Sequence, residues 1–381
     1  MIERPFRIVV APDSFKGSLS AYQAALSMEK GIHQVMPNAI VEKLPLSDGG
    51  EGLVQTVVQA SYGKFRSIEV TGPDFEPVIA TYGFLDEQTA VMEMAEASGL
   101  TLSKWQDPSR TTTYGTGEMI RDALKQGATK IILGIGGSAT NDGGVGMAAA
   151  IGVRFLDQLG QGVDLSGSGL SKLASIDCED LDPRLKEAEI LVACDVTNPL
   201  YGENGAAYIY ATQKGADKDM VQRLDQGLKN YARVLKDSLG VDCAKASGAG
   251  AAGGMGAGLL AFAGARLRPG IEICFEMLDF DSKLKDADLI LTGEGSIDSQ
   301  TLHGKVLLGV ARRAKARNIP AIGLCGRYSG DLHELHQEGI DAIFCINHDR
   351  MELEEALRQA EDNLTLTTSQ IMKTANIWRR F

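Results

Sequence analysis

The chain has 381 residues, of which 44% are hydrophobic and 23% charged, with a formal net charge of −12. That length calls for two domains, each able to bury a full core, and the acidic balance argues against nucleic acid or an anionic membrane as partner. The six cysteines form no C-x-x-C pair, so neither a zinc site nor a disulfide framework is indicated; with no signal-peptide core in MIERPFRIVV and no apolar run of membrane-spanning length, a cytoplasmic location is expected.

In chain order, an apolar strand at Arg7–Ala11 leads through Pro12–Ser18 into an amphipathic helix from about Ser20 to Met36, with Ser20 as N-cap. A strand at Ile40–Leu44 ends in PLSDGGEG, and a helix follows over Gly52–Ser61. The runs Arg66–Val70, Val78–Leu85 and Ala90–Met94 read as successive antiparallel strands separated by turn residues. Helices at about Thr116–Gln126 and Asp219–Leu239, and strands at Lys130–Leu133, Val153–Leu156 and Ile190–Ala193, complete a mixed middle region. Alternation then returns: strands at Asp288–Thr292, Pro320–Cys325 and Asp341–Ile346, with helices at Lys305–Arg317, Asp331–Glu338 and Met351–Met372. The two ends together suit a doubly wound parallel α/β sheet built from residues 1–65 and 285–381, with a mixed α+β domain, 66–284, inserted in it.

The stretch GIGGSATNDGGVG, residues 134–146, follows a strand and contains Gly134-x-Gly136-x-x-Ala139, a match to the dinucleotide fingerprint. The fingerprint needs a helix beginning inside the motif. Here TNDGG intervenes, a poor helix former, so a long loop with a helix starting near Gly144 is the better reading. The G-x-x-x-x-G-K-[ST] phosphate loop is absent. Other strand ends also combine glycine with ionisable or hydroxyl residues: APDSFKGS (Asp13, Ser14, Lys16), PLSDGGEG (Asp48), ACDVTNPLYGENGAA (Asp195) and LTGEGSIDSQTLHGK (Glu294, Asp298, Lys305). Open α/β sheets bind ligands at the carboxyl ends of their strands. Backbone N–H nests, a lysine and carboxylates for a hard cation are what phosphoryl transfer requires.

These blocks, with GAGAAGGMGAG at 248–258, resemble in order the signature blocks of the bacterial glycerate kinase family, from residue 11 to 305. The resemblance implies a flavodoxin-like domain with a second domain inserted, and ATP- and Mg²⁺-dependent phosphorylation of (R)-glycerate, with 2-phosphoglycerate as the expected product.

Roles within the blocks are assigned on chemistry, with the site expected in a cleft between the domains. Gly136, Gly137, Ser138, Thr140, Asn141 and Asp142, with Gly253 and Gly254, are the expected nucleotide contacts. Lys16 neutralises the transferred group. Asp195 is the first choice of base and Asp48 the second. Glu294 and Asp298 hold Mg²⁺, Asp13 and Ser14 contact the substrate, and Lys305 or Arg327 takes the glycerate carboxylate. Small-molecule substrates are the expected partners, with a homodimer left open. The rival readings are an NAD-linked hydroxy-acid dehydrogenase and a non-catalytic sensor of glycerate or nucleotide.

Overall fold

The structure is a computed structural model that describes residues 4–50, 52–298 and 306–378. In chain order its strands are β1 (Arg7–Pro12), β2 (Ile40–Lys43), β3 (Lys64–Thr71), β4 (Pro77–Phe84), β5 (Thr89–Glu93), β6 (Lys130–Gly134), β7 (Arg154–Leu156), β8 (Ser175–Asp177), β9 (Glu189–Ala193), β10 (Arg266–Arg268), β11 (Leu289–Ile297), β12 (Ala321–Tyr328) and β13 (Ala342–Cys345). The chain divides into two compact units, one of residues 1–48, 55–62 and 271–381, the other of 49–54 and 63–270. These limits differ from the expected ones chiefly at 271–284, which group with the two chain ends.

The first unit is built on a wholly parallel five-stranded sheet in the order β2-β1-β11-β12-β13. Its central strands carry Ile8, Val10, Ile290, Leu291 and Leu324, none of them exposed, as a sheet covered on both faces requires. Ser20 caps the helix Ala21–His33 in a reciprocal box with Gln23, which satisfies backbone donors the first turn cannot. Gly31 lets that helix approach the last one, Ala360–Trp378, so closely that a Cβ would lie 2.5 Å from the Thr365 carbonyl. The strand order is the flavodoxin-like one, and its switch point falls between β1 and β11, where such folds bind ligands.

The second unit has a mixed six-stranded sheet in the order β10-β9-β6-β5-β4-β3. β5, β6, β9 and β10 run parallel, while β3 and β4 are antiparallel, as the short turns between those runs led one to expect. Its core gathers Tyr82, Met92, Met119, Ile131, Leu133 and Met147, all with no exposed surface. The parallel strands leave their carboxyl ends on one edge, and the glycine-rich loop follows β6 there. Among the described residues no helix is long and apolar enough to cross a membrane.

Two strand features are set by tertiary pairing. β11 continues five residues beyond Thr292 because Glu294, Ser296 and Ile297 pair with Cys325, Arg327 and Tyr328 of β12. β10 is a three-residue strand with no alternation of its own, recruited by pairing with β9.

Candidate functional site

At the switch point of the first unit, two carboxylates act on a third. Asp13 follows β1, and its N–H donates to the Gly293 carbonyl at 2.8 Å, which brings it against β11. Asp48 follows β2, and Glu294 lies on β11. Burial above all, then the charge of Asp48 and more weakly that of Glu294, pushes the Asp13 carboxyl up to about 7, against the Ser14 N–H, which donates to it at 2.6 Å. A carboxyl held there is near-neutral in its titration and suited to proton transfer at physiological pH. Lys16 is on an exposed turn closed by the Phe15–Leu19 bridge, and Gly295 of β11 packs beneath it: a Cβ there would lie 3.0 Å from the Lys16 backbone nitrogen. Arg327, at the exposed end of β12, donates from Nε to the Ser296 hydroxyl at 3.1 Å. Asp13, Ser14, Lys16 and Asp48 thus follow strands of the one sheet in which Glu294 and Arg327 themselves lie. Lys305 lies outside the described residues.

In the second unit, the loop after β6 turns sharply at Gly136–Gly137, with Gly137 at φ +71°. These two glycines are exposed, whereas Ser138 through Asp142 are buried. Among the described residues the N–H groups of Gly136 and Gly137 find no backbone or side-chain acceptor. Two consecutive free donors at an exposed glycine turn are the kind of backbone from which anion-binding nests are built. The helix that follows starts at Val145, past a left-handed Gly144. The geometry of a dinucleotide fingerprint, with a helix opening inside the glycines, is therefore missing.

The rest of the loop departs from the expected nucleotide contacts. Asp142 Oδ2 accepts from the N–H and hydroxyl of Thr113 and from Gly146 N–H, and Oδ1 from Gly144 N–H. Fully buried, with its pKa raised by desolvation, it is a keystone of the loop rather than a ligand contact. Gly253 and Gly254 are also structural. Both adopt left-handed φ in a kink of the helix Ala251–Phe262, and a Cβ would lie 2.0 Å from Thr140 O at the first and 2.9 Å from Gly143 Cα at the second. They exist so that this helix can touch the loop. Thr140 and Asn141 are fully buried; Thr140 Oγ1 and both amide atoms of Asn141 have no hydrogen-bond partner. An orphaned buried amide is costly, and it keeps Asn141 among the candidates for an outside partner.

Asp195, the first-choice base, is exposed after β9, and its Oδ1 accepts from Gly270 N–H at 3.0 Å. Nothing there gives it the burial that tunes Asp13. The expected metal pair also needs revision. Glu294 is inside β11 and Asp298 just past its end, so four residues of extended chain set them about 13 Å apart. That span separates their α-carbons, and side chains that stand roughly perpendicular to a strand do not converge across it on one small cation. Among the described residues no group of three or more His, Cys, Asp or Glu side chains is arranged to hold a metal. Mg²⁺ asks for less: one or two carboxylates, the other positions going to water and phosphate oxygens. Asp48 and Glu294 beside Asp13 meet that need.

One buried group escaped the sequence reading altogether. Lys214, 3% exposed, donates from Nζ to the Ser138 hydroxyl at 2.7 Å and to the Thr140 carbonyl at 2.6 Å. The segment TQKGADKD around it has the composition of a solvated turn, so only the partner 76 residues away betrays it.

Comparison with known proteins follows the same lines. The sequence profile described as the glycerate kinase family matches residues 8–376. The chain is 48% identical to glycerate 2-kinase of Escherichia coli K12, over 98% of this chain and 99% of that one. It is 49% identical to glycerate kinase of Bacillus subtilis 168, over 96% of each. The crystal structure of a candidate glycerate kinase 2 from Salmonella typhimurium LT2 superposes with a TM-score of 0.92 at 47% identity, covering 99% of this chain and all of that one.

Proposed function

The chain belongs to the glycerate kinase family and is a kinase, and from that premise we propose that it transfers the γ-phosphoryl group of ATP to the 2-hydroxyl of (R)-glycerate with Mg²⁺ as cofactor. The observation that carries the mechanism is the place of Asp13 beside Asp48 and Glu294 at the switch point of the parallel sheet, where burial raises its carboxyl. In this reading Asp13, rather than Asp195, accepts the proton of the attacking hydroxyl.

The exposed turn at Gly136–Gly137 receives phosphate oxygens on its free N–H groups. Lys16 offsets charge on the transferred group, and Arg327 pairs with the glycerate carboxylate. Asp48 and Glu294 would hold Mg²⁺, which when bound neutralises phosphate charge. The E. coli relative's name, glycerate 2-kinase, favours the 2-hydroxyl as acceptor.

The test is a coupled ADP-release assay over a panel of sugar acids, with the product read by phosphorus NMR. Turnover confined to (R)-glycerate, a 2-phosphate product and a much larger loss of kcat in Asp13→Asn than in Asp195→Asn support the reading. A 3-phosphate product, or an Asp13→Asn enzyme as active as the wild type, would overturn the acceptor or the base respectively.

A further inference from the structure

Lys214 poses a physical problem. A buried ammonium loses several kcal/mol of hydration unless a counter-charge or a full set of hydrogen bonds replaces it. Here two neutral oxygens accept from it, and among the described residues no carboxylate pairs with it. Asp142 acts on it only at a distance, its own oxygens already engaged by Thr113, Gly144 and Gly146. An apolar side chain of the same length would serve packing better.

Both acceptors belong to one loop. Ser138 directly follows the exposed Gly136–Gly137 turn, and Thr140 lies two residues further on. Held at the Ser138 side chain and at the Thr140 carbonyl, the segment is fixed immediately after the two free N–H groups of Gly136 and Gly137. We propose that Lys214 is a positioning residue for the nucleotide, fixing the Gly136–Ser138 turn from below and setting a positive charge under it for the polyphosphate. The proposal rests on the reading of that turn as the phosphate site. Burial pulls the Lys214 ammonium down to about 7 against the opposing influence of Asp142. A polyanion above the turn supplies the missing counter-charge, so the cost of burying the lysine is relieved in the bound state.

The experiment compares Lys214→Met, Lys214→Arg and Gly136→Val in steady-state kinetics and in thermal shifts with a non-hydrolysable ATP analogue and Mg²⁺. At Gly136 the backbone is not left-handed, and a Cβ meets only Gly50 Cα at 3.5 Å, so the valine tests approach of the phosphates rather than folding. Lys214→Met is expected to raise the ATP KM at least tenfold and to abolish the analogue's thermal shift, leaving the glycerate KM within twofold. Lys214→Arg, which keeps the charge, recovers part of both.

A folded methionine variant with wild-type ATP KM, beside a Gly136→Val enzyme whose ATP KM rises, overturns the role of Lys214 and leaves the phosphate site standing. An unchanged ATP KM in Gly136→Val removes the phosphate site and the proposal with it. Should the methionine variant not fold, Ser138→Ala removes one of the lysine's two anchors and keeps its charge. A threefold or larger rise in ATP KM then supports the role, and an unchanged value overturns it.

Discussion

Asp142 and Thr113, 29 residues apart, are joined twice: the carboxylate oxygen Oδ2 accepts from the threonine N–H at 2.9 Å and from its hydroxyl at 2.7 Å. The same carboxylate receives the N–H groups of Gly144 and Gly146, so it ties the glycine-rich loop to the start of the helix Tyr114–Lys125. Asp142→Ala leaves four buried donors without their acceptor. Each orphaned donor costs about 1–3 kcal/mol, and with partial relaxation a loss of about 3 kcal/mol or more is expected in urea unfolding of the apo protein. A loss below about 1 kcal/mol would mean that the loop holds its shape by other means.

Asp13 should make stability depend on pH in a defined direction. Its pKa is about 7 in the folded protein against 3.8 for an unperturbed aspartate, so between those values the folded state binds more protons than the unfolded one. Stability therefore falls as pH rises through that window, and the cost is fully present above 7. Asp13→Asn removes it. The variant should melt higher than the wild type at pH 8, lose this advantage near pH 4, and show kcat reduced about 100-fold or more. Equal melting offsets at both pH values would contradict the assignment.

The revised metal assignment separates two carboxylates that sequence spacing had joined. Glu294→Gln is expected to raise the Mg²⁺ concentration needed for half-maximal activity about tenfold. Asp298→Asn, about 13 Å away along the extended chain, should leave that requirement within a factor of two. Equal shifts in both would restore the original pair.

Gly254 tests the kinked helix. Its φ of +91° is one that side chains rarely adopt, and its Cβ would press on Gly143 Cα, Leu200 and Leu228. Gly254→Ala should lower the apo melting temperature by several degrees and leave the ATP KM of the surviving folded enzyme unchanged. A large KM effect with no loss of stability would return the 248–258 segment to the phosphate site.

Strands were legible wherever apolar runs ended in turn residues. β1, β2 and β6 fall within a residue of the expected limits, because their burial is written locally. The continuation of β11 was not, since Gly293-Glu294-Gly295 has the composition of a turn and only the register with β12 makes it extended. The site shows the same division. Glycine and hydroxyl residues after a strand marked the loop at 134–142, but which of them face outward depends on Thr113, Lys214 and the helix at Ala251–Phe262, all distant in sequence. Asp13 was legible as a site residue; its raised proton affinity was not. Its proton affinity arises from burial and from Asp48 and Glu294, and the second of these comes from the far end of the chain.

The pairing of β1 with β11 also bears on how the protein is made. Thr292 donates to the Ala11 carbonyl across 281 residues, so the central strand pair of the parallel sheet cannot close until most of the polypeptide has left the ribosome. The second unit consists almost wholly of one uninterrupted stretch, 63–270, and its strands find their neighbours sooner. Contacts between distant segments form slowly, and domains acquire structure as they emerge. The order of assembly should therefore run from the middle outward: the glycine-rich loop after β6 takes shape first, while Asp13, synthesised almost at the outset, waits for Glu294 to complete its surroundings.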